Sequence, residues 1–247
     1  MNQRQTKILE YLLKHQKVEV VRLAELFKVS QVTIRKDLTF LEAENMIIRE
    51  HGFARLNNND DLNTRLAYHY NEKQMIALKA IENVKDGETV MIESGSCCAL
   101  VAKALAVHRK DITIITNSAF ICDYVRKESL SLILLGGQYQ KESQVMVGPL
   151  TRENVSHFFV DKLFIGTDGF TKQSGFTGKD YLRSETVKDM SKQAKEVIIV
   201  TESEKFGLQG TVNLIALSRI SKIITDKFIS NEYKDYFLSK TITIIES

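Results

Sequence analysis

No apolar run in the sequence approaches the roughly 20 residues that a membrane-crossing helix needs. The first residues, MNQRQTKILEYLLKHQ, are amphipathic and lack the apolar centre of a secretory signal, so a cytoplasmic chain with no membrane partner is expected. Cysteine is scarce. Cys97, Cys98 and Cys122 form an odd trio without metal-ligand spacing, which argues against a disulfide framework or a zinc site and leaves them as small apolar or loop residues. A large charge imbalance is also missing: the net charge is +3, too small by itself to indicate nucleic acid.

What is present is length and pattern. At 247 residues with 43% hydrophobic content the chain has room for two domains with real cores. The charge is unevenly spread, because residues 1–56 hold 10 Lys and Arg against 7 Asp and Glu while the remainder holds 24 of each. The basic excess therefore lies wholly in the N-terminal segment, as a DNA-facing domain or a solvated helix face would have it.

Within that segment Ile8, Leu12 and Leu13 place an apolar stripe on a first helix, and Leu23, Ala24, Leu26 and Phe27 on a second. After Lys28-Val29, Ser30 is suited to cap a third helix over 31–44 by accepting a backbone N–H from Val32 or Thr33. In it Ile34, Leu38 and Leu41 face inward, leaving Gln31, Thr33, Arg35, Lys36 and Thr39 outward or on the rim, a polar and basic face that suits a major groove. Residues 46–50 and 53–56 flank the turn signal His51-Gly52, as in a wing whose Arg49, His51 and Arg55 reach phosphate or the minor groove, or in a solvated hairpin with incidental charges.

Asn57-Asn58-Asn59-Asp60-Asp61 is polar and rich in turn formers, so a linker over 58–72 is expected to separate a 1–57 domain from one over 73–247. A helix over 71–84 then opens an alternation with strand candidates at 88–92, 112–116, 130–135, 162–165, 196–200, 222–225 and 241–245. That is the pattern of an α/β sheet covered on both faces, which binds ligands beyond the carboxyl ends of its strands. There Glu93-Ser94-Gly95-Ser96-Cys97 leads into a helical run, where backbone N–H groups and the helix dipole favour phosphate, although an ordinary strand-to-helix turn has the same pattern. Loops at Thr116-Asn117-Ser118, Gly136-Gly137, Gly166-Thr167-Asp168-Gly169 and Thr201-Glu202-Ser203-Glu204-Lys205-Phe206 converge on the same edge. Asn117 and Asp168 suit sugar hydroxyls and Lys205 a phosphate, or Asp168 is a turn residue and Lys205 a surface lysine.

Arg4, Ile8 and Leu12, followed by Ser30-Gln31-Val32-Thr33-Ile34-Arg35-Lys36-Asp37-Leu38, resemble the signature of the DeoR family of bacterial regulators. His51-Gly52-Phe53-Ala54, Leu134-Leu135-Gly136-Gly137 and Met146-Val147-Gly148-Pro149-Leu150-Thr151-Arg152 extend the resemblance, within its YciT-like branch, across nearly the whole chain. The resemblance implies a winged helix-turn-helix domain plus a larger α/β sensor domain similar to ribose-5-phosphate isomerase folds. It makes Ser30, Gln31, Thr33, Arg35 and Lys36 the DNA contacts, gives Asp37 a local ion pair, and makes a phosphorylated sugar or related metabolite the effector. Three loop residues depart from the usual family pattern, Glu93 and Glu202 where Asp is usual and Cys97 where Thr is usual, which bears on the identity of the ligand. The expected partners are a double-stranded DNA operator, the effector and a second copy or copies in a homodimer or homotetramer, acting by repression, with activation the alternative. No cofactor, metal or catalytic residue is assigned. The competing readings are a sugar-phosphate isomerase carrying a DNA-binding domain, and a DNA-binding protein whose second domain only oligomerises.

Overall fold

The computed structural model describes residues 2–43, 46–56 and 62–247, and the chain separates into two compact units, Met1–Tyr70 and Asn71–Ser247. The first is built from α1 (Gln3–His15), β1 (Lys17–Glu19), α2 (Val20–Leu26), α3 (Gln31–Ala43), β2 (Ile47–Glu50), β3 (Phe53–Leu56) and α4 (Leu62–Ala67). A reciprocal cap starts α1: the Asn2 side chain accepts the Gln5 backbone N–H while the Gln5 side chain accepts that of Asn2. Ile8, Leu12, Leu23, Ala24, Ile34, Leu38 and Leu41 form one core with Met46, Ile47, Ala54 and Leu56 of the hairpin.

The inward stripe of the second helix runs Val20, Leu23, Ala24 and Phe27, at helical spacing; Leu26 falls off it and is 40% exposed, which corrects the sequence expectation. Ser30 caps α3 as expected, its Oγ accepting the Thr33 N–H at 3.2 Å. The buried Asp37 carboxylate accepts from Arg4 Nε at 2.5 Å and from Gln5 Nε2 at 3.2 Å, keying α3 to α1. β1 was not legible, because three residues with one inward side chain are too short to show a period, yet it completes the antiparallel sheet β1-β3-β2. Leu13's side chain, Glu44 and the 57–61 run fall outside the described residues. Within the span expected as a linker, residues 62–67 form α4, whose Leu62 and Leu66 are buried one turn apart and which packs against α1.

The second unit opens with α5 (Tyr70–Ile81), β4 (Thr89–Ile92), α6 (Ser96–His108), β5 (Thr113–Thr116), α7 (Ala119–Tyr124) and β6 (Ser131–Leu134). A hairpin of β7 (Gln138–Gln140) and β8 (Val145–Val147) follows, then α8 (Pro149–Val155), β9 (Val160–Ile165), β10 (Gly169–Thr171), β11 (Gly175–Gly178) and α9 (Tyr181–Lys192). The chain ends with β12 (Ala194–Val200), β13 (Val212–Ile215), β14 (Lys222–Thr225), α10 (Asn231–Ser239) and β15 (Thr243–Glu246). Among the described residues no helix is long and apolar enough to cross a membrane.

The seven strands expected from the sequence all join one parallel sheet, ordered β15-β14-β12-β9-β4-β5-β6, with ends shifted by at most two residues. Val90-Met91-Ile92, Leu163-Phe164-Ile165 and Val197-Ile198-Ile199-Val200 are buried without alternation, as strands covered on both faces must be. From β4 the chain runs first to β5 and β6, then returns to the other side of β4 at β9. The order therefore reverses between β4 and β9, where the Glu93 N–H donates to the Phe164 carbonyl at 3.0 Å. The short strands β10, β11 and β13, for which the sequence pattern names no strand candidates, form a separate antiparallel sheet.

Leu38 is fully buried where α3 meets the first-unit core. Leu38→Ala should cost about 2–5 kcal/mol in a denaturant titration of that unit's transition, whereas Lys36→Ala on the exposed face should stay within about 0.5 kcal/mol.

Candidate functional site

Because Ile34, Leu38 and Leu41 point into the core and Asp37 is bound to Arg4, the orientation of α3 is fixed and its opposite face lies open. Gln31, Arg35 and Lys36 are exposed there, Thr33 is half-buried beside the Ser30 cap, and the Arg35 guanidinium lies 3.5 Å from Gln31 Oε1. His51 is exposed at the hairpin turn. Arg49 docks onto α3 instead of projecting: its N–H donates to Glu42 Oε1 at 3.1 Å and its guanidinium to Thr39 Oγ1 at 2.9 Å. Arg55 is likewise held, its Nε 2.7 Å from Glu50 Oε1, while Lys17 Nζ lies 2.6 Å from Glu50 Oε2. Hydrogen bonds from Arg55 and then Lys17 lower the Glu50 carboxyl to about 2.

In the second unit the expected phosphate loop is buried at the reversal point. Ser94 Oγ donates to Glu93 Oε1 at 2.6 Å, and Glu93, Ser94, Ser96 and Cys97 are each under a tenth exposed. Gly95 has φ +148°, a conformation in which a side chain is strained, and α6 starts immediately after it with no side-chain cap on its first turn. The first-turn amides and the positive end of the helix thus stand at the point where strand order reverses. Asn117 lies one residue beyond Thr116, the register partner of Ile92, so it stands next to Glu93 on the neighbouring strand. Its Nδ2 donates to the Met146 carbonyl at 3.1 Å; its Oδ1 is buried and meets no donor among the described residues.

The other expected residues are placed differently. Asp168 is half-buried, with Oδ2 accepting the Lys179 N–H at 2.9 Å. A Cβ at Gly169 would lie 2.4 Å from the Leu208 carbonyl oxygen, so this glycine serves close packing of the 205–208 turn on β10, where the Gly207 N–H donates to the Phe170 carbonyl at 2.8 Å. Lys205 on that turn pairs with Glu204 at 2.9 Å. The buried cation of this edge is instead Lys73 of α5, 2% exposed and 3.0 Å from Oε1 of the buried Glu202. The Cys97 thiol donates to the other oxygen, Glu202 Oε2, at 3.4 Å, and burial, with Glu202 next, pushes that thiol's pKa well up.

Residues 4–60 match the family model described as a DeoR-like helix-turn-helix domain, and residues 68–227 match the DeoR C terminal sensor domain. The chain belongs to the DeoR family. It is 31% identical over 228 residues, 91% of this chain and 90% of the relative, to the glycerol-3-phosphate regulon repressor of Escherichia coli (strain K12). It is also 31% identical over 238 residues, 94% of this chain and 91% of the relative, to the HTH-type transcriptional repressor GlcR of Bacillus subtilis (strain 168). A solved ribose 5-phosphate isomerase A from Methanocaldococcus jannaschii is similar at 17% identity and TM-score 0.40, over 54% of this chain and 53% of that one. As a DeoR-family member the chain is a transcriptional regulator with an N-terminal DNA-reading domain and a C-terminal α/β sensor domain, whose sheet class is set by the strand order itself. The sequence pattern marks Glu202 as a departure from the family in a binding loop but does not mark its partner Lys73. The missed signal is that Lys73 stands on the inward stripe of α5 with Ile76, Ala77, Ala80 and Ile81, where an apolar residue is the rule.

The depressed Glu50 carboxyl gives this DeoR wing a defined acid response. A group whose folded pKa lies below its unfolded value contributes stability above the unfolded value, and that contribution fades as pH falls through the folded one. The Lys17–Glu50–Arg55 contacts should therefore be complete above about pH 4.3 and be lost toward pH 2. Carboxyl resonances followed by NMR should show Glu50 titrating near 2, and a midpoint above 4 would contradict the clamp.

Proposed function

We propose that this DeoR-family regulator is a repressor released from its operator by a phosphorylated sugar or related metabolite bound at the carboxyl edge of the sensor sheet. The observation that carries the effector reading is the start of α6: a helix N-terminus without a side-chain cap, at the point where strand order reverses, with a buried lysine close by. Both relatives above are named as repressors, and the name of the Escherichia coli one contains a small phosphate ester. Glu93, Ser94, Gly95, Ser96, Cys97, Asn117 and Asp168 line the proposed site, with Gly169 shaping it and Lys205 at its margin. On the DNA side Ser30, Gln31, Thr33, Arg35 and Lys36 read the major groove, His51 reaches the backbone or minor groove, and Arg49 and Arg55 support it. The YciT-like branch rests on the motif residues alone.

The protein acts as a cytoplasmic homodimer or homotetramer in this reading, because two copies place α3 in successive major grooves roughly 34 Å apart. Residues 1–57 form the DNA-binding domain and 73–247 the sensing and oligomerising domain, joined by 58–72. Effector binding shifts an equilibrium between forms of different DNA affinity. No catalysis and no cofactor enter this reading: a sensor needs only to bind, whereas isomerisation needs a base held against the transferred proton.

Two measurements test it. In a footprinting titration Arg35→Ala should weaken specific operator binding by about 1–3 kcal/mol with the fold intact, and unchanged affinity would remove Arg35 from the reading face. Calorimetry should show that a sugar phosphate binds at least about tenfold more tightly than the same sugar without its phosphate, as loss of charge-assisted hydrogen bonds implies. Equal affinity would refute the phosphate site, and sustained aldose-ketose turnover abolished by Asp168→Asn would move the chain to the isomerases.

A further inference from the structure

One ion pair at the carboxyl edge of the sensor sheet brings in a residue the sequence does not single out, Lys73. Lys73 is 2% exposed and sits on the inward face of α5 among Ile76, Ala77, Ala80 and Ile81. An ammonium in such surroundings is tolerated only with a charge partner, and Glu202 supplies it at 3.0 Å while being only 7% exposed itself. The second oxygen of the same carboxylate accepts from the thiol of Cys97, the second residue of α6, at 3.4 Å. Glu202 thus holds an anionic group between a buried ammonium and the first turn of a helix, two sources of positive potential. Those are the surroundings a phosphate prefers, filled by a carboxylate of the chain.

We propose that Lys73 is the cation that receives the effector's phosphate and that Glu202 is a built-in competitor for it, so that the effector binds by exchanging a carboxylate for a phosphate at one buried ammonium. The inference deepens the phosphate-effector reading and rests on it. A dianion and a carboxylate on one buried ammonium repel each other, so the carboxylate swings away as the phosphate arrives. The backbone need not follow. The Ser203 N–H is held by the buried Asp226 Oδ2 at 2.7 Å, and the Glu202 carbonyl accepts the Lys205 N–H at 3.1 Å, so the exchange requires only rotation of the Glu202 side chain. An independent observation on the same row of strand ends marks a place for the rest of the ligand: Asn117 Oδ1 is buried without a donor among the described residues, and a sugar hydroxyl provides one.

The test is calorimetric titration of the full-length protein with inorganic phosphate, for the wild type and for Glu202→Asp, Glu202→Gln and Lys73→Met. Asp keeps the charge but withdraws it by a methylene, and Gln removes it. Both Glu202 variants should bind phosphate at least about tenfold more tightly than the wild type, and Lys73→Met at least about tenfold more weakly. Thermal unfolding reports whether each variant folds. Should Lys73→Met fail to fold, the double variant Lys73→Met/Glu202→Gln removes both charges together, spares the fold an unpaired buried ion, and should still lose phosphate binding. Glu202 variants that bind no more tightly, or a charge-free double variant with wild-type affinity, overturn the exchange. If in that case the wild type still prefers a sugar phosphate to the free sugar, the effector reading stands without it. A wild type with no phosphate preference overturns both.

Discussion

The sensor sheet is covered on both faces, and that constraint decides where chemistry can occur in it. Its central strands bury consecutive apolar residues, so polar side chains find room only at the strand ends. At the amino ends the charged groups satisfy one another: Lys162 Nζ lies 2.6 and 2.7 Å from the two oxygens of Glu88, and Lys195 lies 2.7 Å from Asp161. The carboxyl ends are organised otherwise. Glu93, Asn117, Glu202 and Asp226 follow β4, β5, β12 and β14, all under a tenth exposed, and strand order reverses between β4 and β9 beside the first of them. Burial of the faces and placement of the site are one consequence of the same sheet.

In the first unit a single helix supplies both core positions and an open polar face. The positions of α3 that build the core, Ile34, Leu38 and Leu41, also fix which side chains point away from it. Asp37 adds a polar key, because Arg4 and Gln5 of α1 bind it and set the rotation of α3 about its own axis. The hairpin is held to the same helix through Arg49, Thr39 and Glu42. Two basic side chains that pattern alone assigns to DNA phosphates are therefore partly engaged within the unit, Arg49 on α3 and Arg55 on Glu50. Their contacts within the unit hold the hairpin in place.

How much of this was legible follows from the length of each signal. The seven long-period strands show in the sequence because each is a run of β-branched and aliphatic residues between turn formers, and all seven join the sheet. Three-residue strands such as β1, β7 and β10 carry too few positions to show a period, and their pairing is imposed by tertiary contacts. Leu26 was misplaced because an apolar residue next to a stripe looks like part of it until the helix phase is fixed by Val20 and Phe27. The Glu93–Cys97 loop was legible from one glycine between a strand and a helix. Lys73 was not, since a lysine on an amphipathic helix is ordinarily read as solvated, and only the position of Ile76 and Ala77 one turn on shows that it faces inward. Its partner lies 129 residues away in sequence, beyond any local pattern.

The two units therefore use charge in opposite ways, which explains why a net charge of +3 says little about either. On α3 the cations Arg35 and Lys36 are exposed, so each contributes little to stability and acts through a field that salt screens over about a Debye length. That suits a polyanion, where many weak contacts sum and register comes from the shape of α3. At the carboxyl edge of the sensor sheet the Lys73 ammonium is withdrawn from water and matched by the Glu202 carboxylate, so its influence is short in range and barely screened. A buried cation of this kind cannot attract ligands from a distance, but it discriminates sharply between those that bring a compensating anion and those that do not. In the proposed exchange a neutral sugar leaves the Lys73–Glu202 pair as it is, and an anion alters it.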